Sequence, residues 1–205
     1  MRVRAVTSRV AGRTWAVWLP VAVLLLSVTV AQAQSPLAAG TKILGLGGAI
    51  SISHDTREVF DTVTGLQLLP QVGYVLTEPV GPDWVRGNLQ VLVEPILLHL
   101  ESDQGSSTVV GASALARWLF SGTGRFRPYL EAGAGVLLGE MTLPQTDCDV
   151  NFLLQGGPGF LVFLSDTTSL AVAYRFQHIS NGRTCRINAS INSSALFLGV
   201  SYFFR

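Results

Sequence analysis

Charge is the scarcest property of this chain: charged side chains make up 13% of its 205 residues, about half the share in an ordinary soluble domain. Its basic residues form no tail or stripe once the start of the chain is set aside, which argues against nucleic acid as a partner. Beyond the first 33 residues no apolar run is long enough to span a membrane as a helix, so helical insertion is excluded there. Cysteine occurs only at Cys148 and Cys185. In an exported chain the two permit a disulfide and equally a pair of free buried thiols. Histidine occurs three times, and no cluster of acids accompanies His178, while His54 and His99 are distant in sequence. A metal site is therefore not expected, and His54 and His99 read as rim or interfacial side chains.

The chain opens with Arg2, Arg4, Arg9 and Arg13, followed by an apolar run from Trp15 to Val30 and the small-residue site Ala31-Gln32-Ala33. This order is that of a secretory signal peptide over 1–33. An uncleaved anchor is the rival reading, and the polar Gln34-Ser35-Pro36 after the site favours removal. No cysteine follows the site, so lipoprotein processing is not expected. Cleavage leaves 205 − 33 = 172 residues as one domain, 34–205, with 14 − 4 = 10 basic against 13 acidic side chains.

What the mature region has in quantity is glycine and period-two alternation. Candidate strands fall near 41–54, 65–78, 86–100, 108–120, 126–141, 150–164, 168–180 and 194–204. One face carries Leu89, Val91, Val93 and Leu97, then Leu130 to Leu138, Leu170 to Phe176 and Leu196 to Phe204 at every second position. The opposite face mixes Gly, Ala and Ser with Glu94, Glu131, Arg175 and Arg117. That face is too poor in charge for a soluble exterior, and its two acids and two bases suit an internal network. The expected fold is all-β, an eight-stranded antiparallel transmembrane barrel with lipid outside and both termini periplasmic. A soluble lipid-binding barrel would require the opposite parity. Outer loops are then expected near 55–64, 101–107, 142–149 and 181–193, with a longer inner link at 79–85 and short ones at 121–124 and 165–167.

In the seventh strand His178 and Ser180 stand two residues apart, so both leave from the apolar face with Phe176 and Tyr174 behind them. Their Cα atoms are roughly 7 Å apart, within reach of a side-chain hydrogen bond. A serine needs such a base to become a nucleophile, and histidine supplies it near neutral pH. Asn192 opens the next strand with outward parity and returns beside His178, where it can orient the imidazole. Asn181 and the amides of the Asn181-Gly182 turn are candidates for stabilising an oxyanion. Arg183 and Arg186 are candidate partners for substrate phosphates, or ordinary solvated loop charges. A base and a nucleophile at the end of an apolar wall suit an enzyme acting on a lipid.

The run Tyr174-Arg175-Phe176-Gln177-His178-Ile179-Ser180-Asn181-Gly182, with Asn188 and Ile191-Asn192 downstream, resembles the C-terminal signature of the lipid A 3-O-deacylases, also called acyloxyacyl hydrolase-like. The close match covers about 170–204, with looser similarity at Glu94-Pro95 and Gly133-Ala134-Gly135. The resemblance implies an eight-stranded outer-membrane barrel that removes the ester-linked 3-hydroxyacyl chain of lipid A without a cofactor. It makes His178 the general base, Ser180 the nucleophile and Asn181 an oxyanion stabiliser. Three positions depart from the pattern: Asn192 replaces a glutamate, Gly182 an alanine and Ser190 a glycine. Expected partners are lipid A or lipopolysaccharide at the outer leaflet, with a homodimer as a further candidate association. The rival expectation is a structural or adhesion barrel whose site has decayed at Asn192.

Overall fold

The computed structural model describes residues 37–54, 62–122 and 124–205, so the expected signal peptide over 1–33 and most of the outer loop expected near 55–64 lie outside the described residues. The elements are β1 (Lys42–Ser53), β2 (Thr64–Val75), β3 (Gly87–Ser102), β4 (Gly105–Phe120), β5 (Phe126–Leu138), β6 (Val150–Phe163), β7 (Thr168–Ser180) and β8 (Ile191–Phe204). Each pairs antiparallel with its neighbours, and β8 closes on β1 to form a barrel. Closure leaves no unpaired sheet edge, which the bilayer would not tolerate.

The burial pattern follows the alternation of the sequence, with apolar side chains on the outside. Leu196, Leu198, Val200 and Tyr202 are exposed on β8, while Ser193, Ala195, Phe197 and Ser201 are buried. A soluble barrel would show the inverse, so the surface is that of a membrane-spanning barrel. Outward aromatics stand toward both ends of the barrel, with Tyr74, Phe126, Tyr202 and Phe204 exposed at the end carrying the termini and Phe152, Tyr174 and Phe176 exposed toward the other. That distribution matches an interfacial girdle.

The lumen is packed rather than open. Arg175 donates from Nε to Glu131 Oε1 at 2.7 Å and from Nη1 to Glu94 Oε1 at 2.9 Å. Arg117 Nη2 donates to Glu131 Oε2 at 2.9 Å, and all four side chains are fully buried. Arg175 also stacks over the Phe197 ring at 4.3 Å, and Arg117 over Tyr129 at 4.3 Å. Room for Phe197 comes from Gly47 and Gly199, where any Cβ would collide with its ring. A glutamine layer lies nearer the site: Gln177 Nε2 donates to Gln155 Oε1 at 3.1 Å and to Gln67 Oε1 at 3.2 Å. The inward Gln177 of β7 is thereby tied to β2 across the lumen and to β6, which stiffens the strand that carries His178 and Ser180 on its other face.

Two expectations about connections change. The outer loop foreseen near 101–107 is a two-residue turn, Asp103-Gln104, because β3 and β4 pair as far as Ser102 and Gly105. The inner link is 76–86, longer than expected, and is braced by the bridge Val80↔Gly87. The strands still alternate in direction, so Ser53, Thr64 and the segments 103–104, 139–149 and 181–190 share the end of the barrel opposite the termini.

Candidate active site

The register of β7 against β8 decides the site. His178 is directly opposite Asn192, and both side chains leave from the outward face. The side chains meet as the parity implies: His178 Nδ1 and Asn192 Oδ1 are 2.7 Å apart. An amide oxygen can only accept, so this contact places the proton on Nδ1 and leaves Nε2 with its lone pair. Nε2 has no hydrogen-bond partner among the described residues, and neither has Ser180 Oγ. Ser180 lies two residues further toward the rim on the same face, half-buried like His178. On the other side β6 sets Phe152 opposite Ser180 and Leu154 opposite His178, both exposed. Ser180 and His178 thus sit in a wall that is apolar on the β6 side and polar on the β8 side.

The segment 181–190 is organised by Asn181. Its side chain is fully buried; Nδ2 donates to Ile187 O at 2.6 Å and to Thr146 Oγ1 at 3.3 Å, while Oδ1 accepts from the Arg183 amide at 2.9 Å. Both amide hydrogens are therefore in use, and the side chain turns inward, away from the face of Ser180. In this arrangement the connections take both N–H groups of the amide that was expected to face an oxyanion. The Gly182 amide, by contrast, has no acceptor among the described residues. Asn188 Oδ1 accepts from the Asn181 amide at 3.0 Å, so the second asparagine of the motif also serves the loop. Cys148 and Cys185 are joined by a disulfide that ties 139–149 to this segment. Arg183 and Arg186 are exposed.

Gly182, Arg183 and Ser190 have φ of 63°, 66° and 62°. Ser190 immediately precedes β8 and carries the left-handed conformation with a Cβ, which is disfavoured by about 1–2 kcal/mol. Ser190→Gly is expected to raise stability by a few tenths to about 1 kcal/mol, the remainder being offset by the greater freedom of glycine in the unfolded chain. A urea titration of the folded protein in detergent, with an upward shift in midpoint, checks this.

Sequence reasoning set His54 aside, and the structure places it beside the site. The His54 amide donates to Asn192 O at 2.6 Å, and its Nε2 is 2.6 Å from Ser194 Oγ. Tyr174 Oη reaches the same Ser194 oxygen at 2.7 Å. The available signal was barrel closure: pairing β1 with β8 brings position 54 level with 192. His99 instead bonds Thr108 on the β3–β4 hairpin through Nδ1 at 2.8 Å. Among the described residues no group of acids, histidines and cysteines is arranged to hold a metal ion.

A family model described as lipid A 3-O-deacylase (PagL) matches residues 71–201. No curated protein matches the chain. Among solved structures the chain is similar to the outer membrane enzyme PagL, at 18% identity and a TM-score of 0.55, over 76% of this chain and 97% of that one. It is equally similar to Neisserial surface protein A, at 16% identity and a TM-score of 0.56, over 80% of this chain and 99% of that one. At these identities the structural likeness speaks to the barrel alone.

Proposed function

The chain belongs to the lipid A 3-O-deacylase (PagL) family, and from that premise we propose that it is an outer-membrane serine esterase hydrolysing the 3-O-linked hydroxyacyl ester of lipid A. Ser180 Oγ attacks the ester carbonyl carbon while His178 Nε2 takes the hydroxyl proton. The tetrahedral oxyanion is met by the backbone amide of Gly182. On collapse the C–O bond to the sugar breaks and His178 returns the proton to the leaving sugar oxygen. Water, deprotonated by the same Nε2, then releases the acyl group and restores Ser180. Asn192 holds the Nδ1–H throughout, fixing tautomer and ring orientation. It does so as a neutral dipole, so the imidazolium formed in each step is less stabilised than beside a carboxylate.

The observation that carries this reading is the 2.7 Å contact between His178 and Asn192 on the outward face. It reproduces a base–orienter pair at the place where a membrane lipid, rather than a soluble substrate, has access. The shorter links at 121–125 and 164–167 and the termini are assigned to the periplasm, and 139–149 and 181–190 to the exterior. Ser180 then lies at the level of the outer leaflet, and Arg183 and Arg186 stand where lipid A phosphates would approach.

The test is to express the chain in a host of defined lipid A, confirm heat-modifiable migration of the folded barrel, and weigh the extracted lipid A. Loss of one hydroxyacyl mass relative to the empty host is expected. Identical spectra in the presence of folded protein would replace the esterase with a non-enzymatic barrel on that substrate.

A further inference from the structure

Three polar side chains occupy the lipid-facing wall next to the site and serve neither nucleophile nor base. His54, Ser194 and Tyr174 come from β1's end, β8 and β7, and meet at one oxygen, Ser194 Oγ, with contacts of 2.6 and 2.7 Å. Their surroundings are apolar: Ser194 is opposite Ile52 on one side and Phe176 on the other, both exposed, and Leu196 follows on its own strand. Polar groups on such a surface have little water to satisfy them, so mutual bonds there are firm and their loss is costly. In the chain Tyr174–Ser194–His54 one neighbour donates to Ser194 Oγ and Ser194 donates to the other.

We propose that this cluster is a positioning clamp for Asn192. Asn192 is the second residue of β8, directly after a ten-residue connection ending in Ser190. Strand ends fray, yet an orienting group must be held to within roughly 0.5 Å. β1 ends at Ser53, and His54 extends the β1–β8 seam by one step, its amide donating to Asn192 O at 2.6 Å. The imidazole bond to Ser194 holds His54 in place, and Tyr174 secures Ser194 from β7, the strand that carries His178. The two contacts of His54 are to the Asn192 carbonyl itself and to Ser194, the next outward residue of β8, and the Asn192 side chain meets His178 Nδ1 at 2.7 Å. A carboxylate would align the imidazole through its charge over a range of positions; a neutral amide works only through geometry, so rigidity matters more here.

The inference rests on the esterase reading of His178 and Ser180, and its test separates the two. Wild type, His54→Ala, Ser194→Ala and Ser194→Thr are refolded in detergent and assayed on lipid A, each also in an Asn192→Glu background. In the native background His54→Ala and Ser194→Ala are expected to lower kcat roughly tenfold to a hundredfold with KM nearly unchanged. Ser194→Thr, which keeps the hydroxyl, retains most of the rate. With Glu at 192 the same alanine substitutions cost about twofold or less, because charge replaces geometry. Independently of turnover, the Nδ1–H signal of ¹⁵N-labelled His178 is expected to be protected from exchange in wild type and to lose that protection in His54→Ala. Unchanged kcat and ring signal in the alanine variants would overturn the clamp, as would an equal loss in both backgrounds. A ring signal that depends on His54 in a protein without deacylase activity would keep the clamp and sink the esterase. His54→Gln, which retains a hydrogen-bonding side chain, replaces His54→Ala if the latter does not fold.

Discussion

Ser180→Ala is expected to abolish lipid A deacylation, lowering kcat by roughly a thousandfold or more while the barrel folds as before. The reason for the clean separation is geometric. The hydroxyl has no hydrogen-bond partner among the described residues, is half-buried on the outward face, and contributes nothing to the lumen network. Removing it deletes the attacking atom and leaves the His178–Asn192 pair and the Asn181 loop intact. His178→Ala should cost a similar factor, and the double variant little more than either alone, because nucleophile and base act as one unit. Lipid A mass spectra, with heat-modifiable migration as the folding control, provide the measurement. Residual wild-type activity in folded Ser180→Ala would show that another group attacks, and Ser194, already bonded to His54, would be the first to test.

Arg175→Met should be the most destabilising single change in the lumen, at about 3–5 kcal/mol. Arg175 bridges both buried carboxylates, to Glu131 through Nε and to Glu94 through Nη1 and Nη2. Its loss leaves two acids and one base, Arg117, in a region with no exposure. Glu94 retains neutral donors, with Gln155 Nε2 at 3.2 Å and Gln71 also in contact, which solvate but do not neutralise it. Adding Glu94→Gln should therefore recover a substantial part of the loss by removing the unmatched charge. Urea titrations of the single and double variants in detergent check both statements. Equal stability of Arg175→Met and wild type would mean that water or protonation satisfies the acids in the lumen. The network reaches the strand of His178 through Gln177, which precedes His178 and bonds Gln67 and Gln155, the latter a donor to Glu94.

Much of this was legible in the residues because the direction of a strand side chain is local. Period two put Glu94, Glu131, Arg117 and Arg175 on one face and the leucines and valines on the other, and the scarcity of charge identified the first face as the interior. The same parity set His178, Ser180 and Asn192 on one surface, and because β7 and β8 are consecutive antiparallel strands the contact between His178 and Asn192 spans only 14 positions. The length of the β3–β4 turn was not legible: Ser106 and Ser107 are polar enough to read as loop, and only pairing with β3 draws them into a strand.

By itself, then, the sequence determined the class of fold, the two faces of each strand and the pair at the heart of the site, all of which depend on residues a few positions apart. The tertiary structure alone decided which distant elements meet. Closing β8 on β1 set His54 against Asn192 and Ser194 across 140 positions of sequence, a nonlocal contact that no periodicity encodes. It also decided what Asn181 bonds: its inward direction continues the alternation of β7, but its partners Thr146 Oγ1 and Ile187 O are brought to it by the packing of two separate connections, which no periodicity encodes.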